Sequence, residues 1–177
     1  MKKIVLTSIL IFMMLSITKL HAQFEQKLTI GASAGFLYLP SDVGDSYMGI
    51  SVDGGILYNF SRRSSLVTNL RFFVLGGEYN ALVGLGYKLN VLPLKKLNPY
   101  LFMEGSINYY VNFEEQYQGY ALGAYPGIGF DYRLNDNLGL FAQGGMNYIV
   151  DIPNELILNI RYYQLGVRIN FLKTKDL

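Results

Sequence analysis

Cysteine and tryptophan are absent from this chain, and its one histidine, His21, lies within the first 22 residues. Each absence closes a class of function. Without Cys there is no disulfide framework, no thiolate nucleophile and no N-terminal cysteine for a lipoprotein anchor. With His gone as well, a chain cut after residue 22 lacks the usual general base and the commonest transition-metal ligands. Long apolar runs are missing too. After Gln23 none approaches 18 consecutive residues, which excludes a helical membrane span in that part.

Excess charge of either sign is also lacking. Lys2 and Lys3, the apolar stretch 4–17 and the small residue Ala22 before Gln23 have the three parts of a secretory signal peptide. The division expected is therefore 1–22 as signal peptide and 23–177 as one domain. Removing Lys2, Lys3 and Lys19 takes the 15 cations to 12, against 13 anions. The apparent basicity belongs to the leader, and no clustered basic face remains to argue for nucleic acid.

What the remainder does have is alternation. Eight strands are expected at 27–39, 47–60, 66–76, 79–91, 99–111, 119–134, 138–150 and 157–171. One row of each is apolar: Leu28, Ile30, Ala32, Ala34 and Phe36 in the first, Val83, Leu85, Tyr87, Leu89 and Val91 in the fourth, Tyr163, Leu165, Val167, Ile169 and Phe171 in the last. The other row is glycine, small and polar, as in a strand with lipid on one face and a polar lumen on the other. The class expected is all-β, an eight-stranded antiparallel up-and-down transmembrane β-barrel. A soluble lipocalin-like carrier would turn the apolar rows inward, and the polar rows hold too few charges for a soluble surface.

The connections separate by charge. With the N-terminus in the periplasm, turns 61–65, 92–98 and 135–137 are periplasmic, and the four loops near 40–46, 77–78, 112–118 and 151–156 face outward. Asp42, Asp45, Glu78, Glu114, Glu115, Asp151 and Glu155 then fall in outer loops without Lys or Arg, while Arg62, Arg63, Lys95, Lys96, Lys173 and Lys175 fall on the opposite side. Carboxylates are hard-cation ligands, and Glu114 with Glu115 is the best pair, but no spacing matches a calcium loop. All four even strands repeat a Gly followed by an apolar row toward one rim: GILYNF from Gly55, GYKLNV from Gly86, GFDYRL from Gly129 and GVRINF from Gly166. They read as equivalent descending strands.

Eight strands leave a lumen just wide enough for side chains to fill. The inward charges expected are Lys27, Arg71, Lys88, Arg133 and Arg168 facing Asp53, Glu104 and Asp131. The chemistry they suggest is an internal ion network. An acid/base role for Asp131 with Asp53 or Glu104 is the weaker reading. Gly84-Leu85-Gly86 and Gly127-Ile128-Gly129 lie inside strands with no following helix, so they do not cradle phosphate. No cofactor, metal or catalytic residue is expected.

The Ala22-Gln23 junction, GIGFDYRLNDNLGLFAQGGMNY from Gly127 and QLGVRINF from Gln164 resemble the Bacteroidetes-type family of small outer-membrane β-barrels, eight-stranded and OmpA/OmpX-like. The resemblance implies export to the cell outer membrane, assembly by the barrel assembly machinery reading Phe171 as its signal, and contact with outer-membrane lipid and lipopolysaccharide. The tail 172–177 departs from it, since such barrels often end on the aromatic itself. The function expected is non-enzymatic, structural or surface-interacting, in a monomer with a plugged lumen; the alternative is a narrow pore or an accessory part of an envelope assembly or secretion machine.

Overall fold

A computed structural model describes residues 27–40, 46–61, 63–92, 96–113, 116–151 and 156–171. They form eight strands: β1 Lys27–Leu39, β2 Tyr47–Asn59, β3 Ser64–Leu75, β4 Glu78–Asn90, β5 Leu97–Asn112, β6 Tyr117–Arg133, β7 Leu138–Asp151 and β8 Leu156–Asn170. Each pairs antiparallel with its sequence neighbours, and β1 pairs with β8 to close an up-and-down barrel. Every expected strand is present, with ends within two residues of expectation.

The register follows from the alternation. Pairing Asp53 with Arg71 across β2 and β3, and Gly86 with Glu104 across β4 and β5, keeps the polar rows on one face of the closed sheet. A slip of one residue would turn every side chain over. Burial shows the result: Ile50 and Leu165, outward, are 70% and 71% exposed, while Leu82 and Tyr125, inward, are fully buried. The outer wall is an apolar surface.

The β3 to β4 turn is Gly76-Gly77, one residue earlier than expected. Both glycines have positive φ, +58° and +83°, the combination a two-residue hairpin turn of this hand requires and which residues with a Cβ resist. One ladder is interrupted. Between β6 and β7 the pairing runs from Ala124 opposite Tyr148 to Gly127 opposite Gly145, and skips the two pairs between, because Pro126 has no N–H to donate.

Candidate functional site: the barrel interior

Two three-residue ion clusters occupy the interior, one at mid-height and one nearer the rim where β1 starts and β8 ends. In the first, Arg71 of β3 pairs through Nε with Asp53 of β2, and its Nη2 lies 3.8 Å from Oε1 of Glu104 on β5. All three side chains are at least 95% buried. Tyr162 donates its hydroxyl to Asp53 at 2.6 Å, Ser51 donates to the same oxygen at 3.0 Å, and Asn69 donates to Glu104. The guanidinium carbon sits 4.2 Å from the ring centre of Tyr162 and 5.2 Å from that of Tyr125, so ring faces cover the charge where carboxylates do not.

The second cluster inverts the first. Asp131 of β6 pairs with both Lys88 of β4 and Arg168 of β8. Tyr100 lies beneath both cations, 4.1 Å from Lys88 Nζ and 5.4 Å from the Arg168 guanidinium carbon, and Phe141 lies 4.0 Å from the latter. One cluster holds one cation and two anions, the other two cations and one anion. Their charges cancel.

Six of the eight expected network residues are therefore brought together: Asp53, Arg71, Lys88, Glu104, Asp131 and Arg168. Arg133 is a correction. It ends β6 and stands exposed at the rim, because a side chain of inward parity at the last residue of a strand reaches the mouth of the lumen, where water solvates it. The side chain of Lys27 lies outside the described residues. The expected excess of five cations over three anions becomes, among the described residues of the two clusters, three against three. Asp151 is also corrected. It is an inward, buried residue at the end of β7 that accepts a hydrogen bond from Tyr110 at 2.7 Å, rather than a solvated loop acid. Asp42, Asp45, Glu114, Glu115 and Glu155 lie outside the described residues.

Toward the other rim an apolar cluster forms beside the buried polar side chains Asn80, Asn108, Asn147 and Asp151. Leu37, Phe73, Leu75, Leu82, Ala121, Ile149 and Ile160 pack with Tyr110, Tyr125 and Tyr162 into one buried cluster. Tyr125 contacts Tyr162 edge to face, with ring centres 5.4 Å apart, and Phe102 at 4.8 Å. Glycines make room for these rings: a Cβ on Gly129 would lie 2.5 Å from Tyr100. A cavity lined by residues of both clusters measures about 30 Å³, room for about two waters.

The sequence reading missed the inward tyrosines 100, 125 and 162. Parity was the available signal, since Tyr100 shares a face with Glu104, Tyr125 with Asp131 and Tyr162 with Gln164. Phe171 lies exposed just past β8, its N–H donating to the Leu28 carbonyl at 3.0 Å.

No protein-family model matches the sequence, and no curated protein does. Solved structures match in fold. Neisserial surface protein A is 19% identical, over 81% of this chain and 97% of that one, with a TM-score of 0.67. The N-terminal β-barrel domain of Pseudomonas aeruginosa OprF is 18% identical over 82% and 98%, with a TM-score of 0.61. Ail, the attachment invasion locus protein of Yersinia pestis, is 12% identical over 84% and 100%, with a TM-score of 0.57. Identities this low establish a shared barrel architecture.

Proposed function

We propose that the chain is a non-enzymatic outer-membrane barrel, exported by a cleaved signal at 1–22, that acts structurally or through its loops at the cell surface with a lumen closed by its own side chains. The observation that carries this reading is the filled interior, where two charge-balancing ion clusters and an apolar cluster pack together and the cavity between the ion clusters measures about 30 Å³. The apolar outer wall requires a lipid surround, and eight-stranded outer-membrane barrels share the fold. Residues 23–177 hold no His or Cys, and each carboxylate of the two ion clusters is matched to a cation, so neither cluster offers a carboxylate free to act as a base.

The charge asymmetry of the connections supports acidic loops outside and basic turns in the periplasm. Within this reading the barrel is monomeric, a member of the Bacteroidetes-type family, delivered by the barrel assembly machinery. Planar-bilayer recording is the test: wild type adds no stable conductance, and a reproducible single-channel current would establish the narrow-pore alternative instead. N-terminal sequencing of the membrane form should begin at Gln23. In intact cells, a thiol reagent that does not cross membranes should label Glu115→Cys and spare Lys95→Cys; the reverse pattern inverts the topology.

A further inference from the structure

We propose that Arg161 forms a recognition site, on the membrane-facing wall, for the phosphate of a membrane lipid. This rests on the membrane-spanning reading above. The outward rows of the eight strands are aliphatic, aromatic or small almost throughout, with Thr68, Gln118 and Asn159 as polar exceptions. Among the described residues of those rows, Arg161 alone is charged.

It stands exposed on β8, opposite Tyr38 of β1 and Met146 of β7. Its guanidinium carbon is 5.7 Å from the Tyr38 ring centre. The ion pairs among the described residues are all internal, so no described carboxylate neutralises it. A guanidinium cannot escape the problem by shedding its proton, and facing hydrocarbon is costly for it in a way that fades toward the membrane interface.

The surroundings put it at that interface. Tyr38, Tyr148 and Tyr163 share its face on neighbouring positions, and amphipathic tyrosines gather where hydrocarbon meets headgroups. Arg161 lies five residues into β8, about 16 Å along the strand from its rim. The Tyr38 hydroxyl is already committed to Ser46 at 3.1 Å, so the ring supports the guanidinium through its face and leaves the N–H fork free. A fork of this kind matches the paired oxygens of a phosphate.

The test uses the full mature chain refolded in detergent, with folding verified by heat-modifiable migration, as wild type, Arg161→Gln and Arg161→Lys. Native mass spectrometry after exchange into mixed micelles reads retained lipid, with phosphatidylglycerol, lipid A and the phosphate-free diacylglycerol as probes. Wild type should retain the phosphate-bearing lipids at least tenfold over diacylglycerol, Arg161→Gln should lose that preference, and Arg161→Lys should recover part of it. Equal retention by Arg161→Gln overturns the site. So does Arg161-dependent binding of inorganic phosphate with no lipid preference, which makes the ligand a free anion. If wild type shows no preference until Asp42→Asn and Asp45→Asn are introduced together, the arginine serves the connection between β1 and β2 and the proposal falls. Failure of wild type to enter vesicles would remove the membrane reading itself; normal entry without phosphate preference removes this site alone.

Discussion

The ionic and the apolar parts of the interior solve one geometric problem by opposite means. Both must fill a lumen of fixed width. One does so with six charged side chains whose directions are set by partners, and the other with Leu37, Phe73, Leu75, Leu82 and Ile160, which need only volume. An apolar filling tolerates substitutions that keep its volume. An ionic filling does not tolerate losing one member, because the partners are stranded in a low-dielectric space. The two parts meet at Tyr125 and Tyr162, whose rings pack in the apolar cluster while their faces cover Arg71.

The strongest way to break this comparison is Arg71→Ala, which strands two buried carboxylates. It should lower the free energy of unfolding in detergent by about 3–5 kcal/mol, or prevent folding outright. The combined Asp53→Asn, Arg71→Met, Glu104→Gln variant should recover most of that, since removing all charges together leaves none unpaired. If the single and triple variants unfold alike, the clusters are filling by bulk and the contrast between the two parts disappears.

Next in size is Leu82→Ala, expected to cost about 2–4 kcal/mol through the cavity it opens, while Leu82→Met stays within about 1.5 kcal/mol. Denaturant midpoints of the pair would show whether the apolar part is as forgiving as its composition implies. Tyr162→Phe sharpens the boundary: it removes the hydroxyl bond to Asp53 but keeps the ring over Arg71, for about 2 kcal/mol. A loss as large as that of Arg71→Ala would mean that the tyrosine, not the arginine, organises the cluster.

Phe171→Ala has the smallest expected effect on equilibrium stability, under about 1 kcal/mol, since the ring is exposed and outside both parts. Its consequence should fall on delivery. Folded barrel recovered from the membrane fraction should drop while refolding in detergent is unchanged, and truncation after residue 172 should matter less. Normal membrane yield for Phe171→Ala would move the assembly signal elsewhere.

The architecture was legible because lipid outside and charge inside make a strong period-two pattern, which held at Asp53, Arg71, Glu104 and Arg168. It faded where both faces are apolar. At Phe72, Phe73, Val74 and Leu75 the alternation vanishes, and only parity counted from Arg71 assigns Phe73 and Leu75 to the interior. Tyrosine hid the rest of the site. Its composition suggests the membrane interface, yet Tyr100, Tyr125 and Tyr162 serve as internal covers for cations, a role that depends on cross-barrel distances no linear spacing reveals. Arg133 was misread for the opposite reason, since parity gives direction but not height.

Closure of the barrel bears on how it can be made. Seven seams join strands adjacent in the chain, whereas the eighth joins Thr29 to Asn170, 141 residues apart. Chain entropy makes this last seam only about 1–2 kcal/mol costlier to close than a hairpin of some 30 residues. Solvation makes it decisive. An open eight-stranded ribbon presents two rows of unpaired N–H and C=O groups, which hydrocarbon cannot satisfy. Hairpins are thus free to zip early at an aqueous surface, but the ribbon cannot rest half-inserted, so joining β1 to β8 and crossing the bilayer must occur as one concerted event.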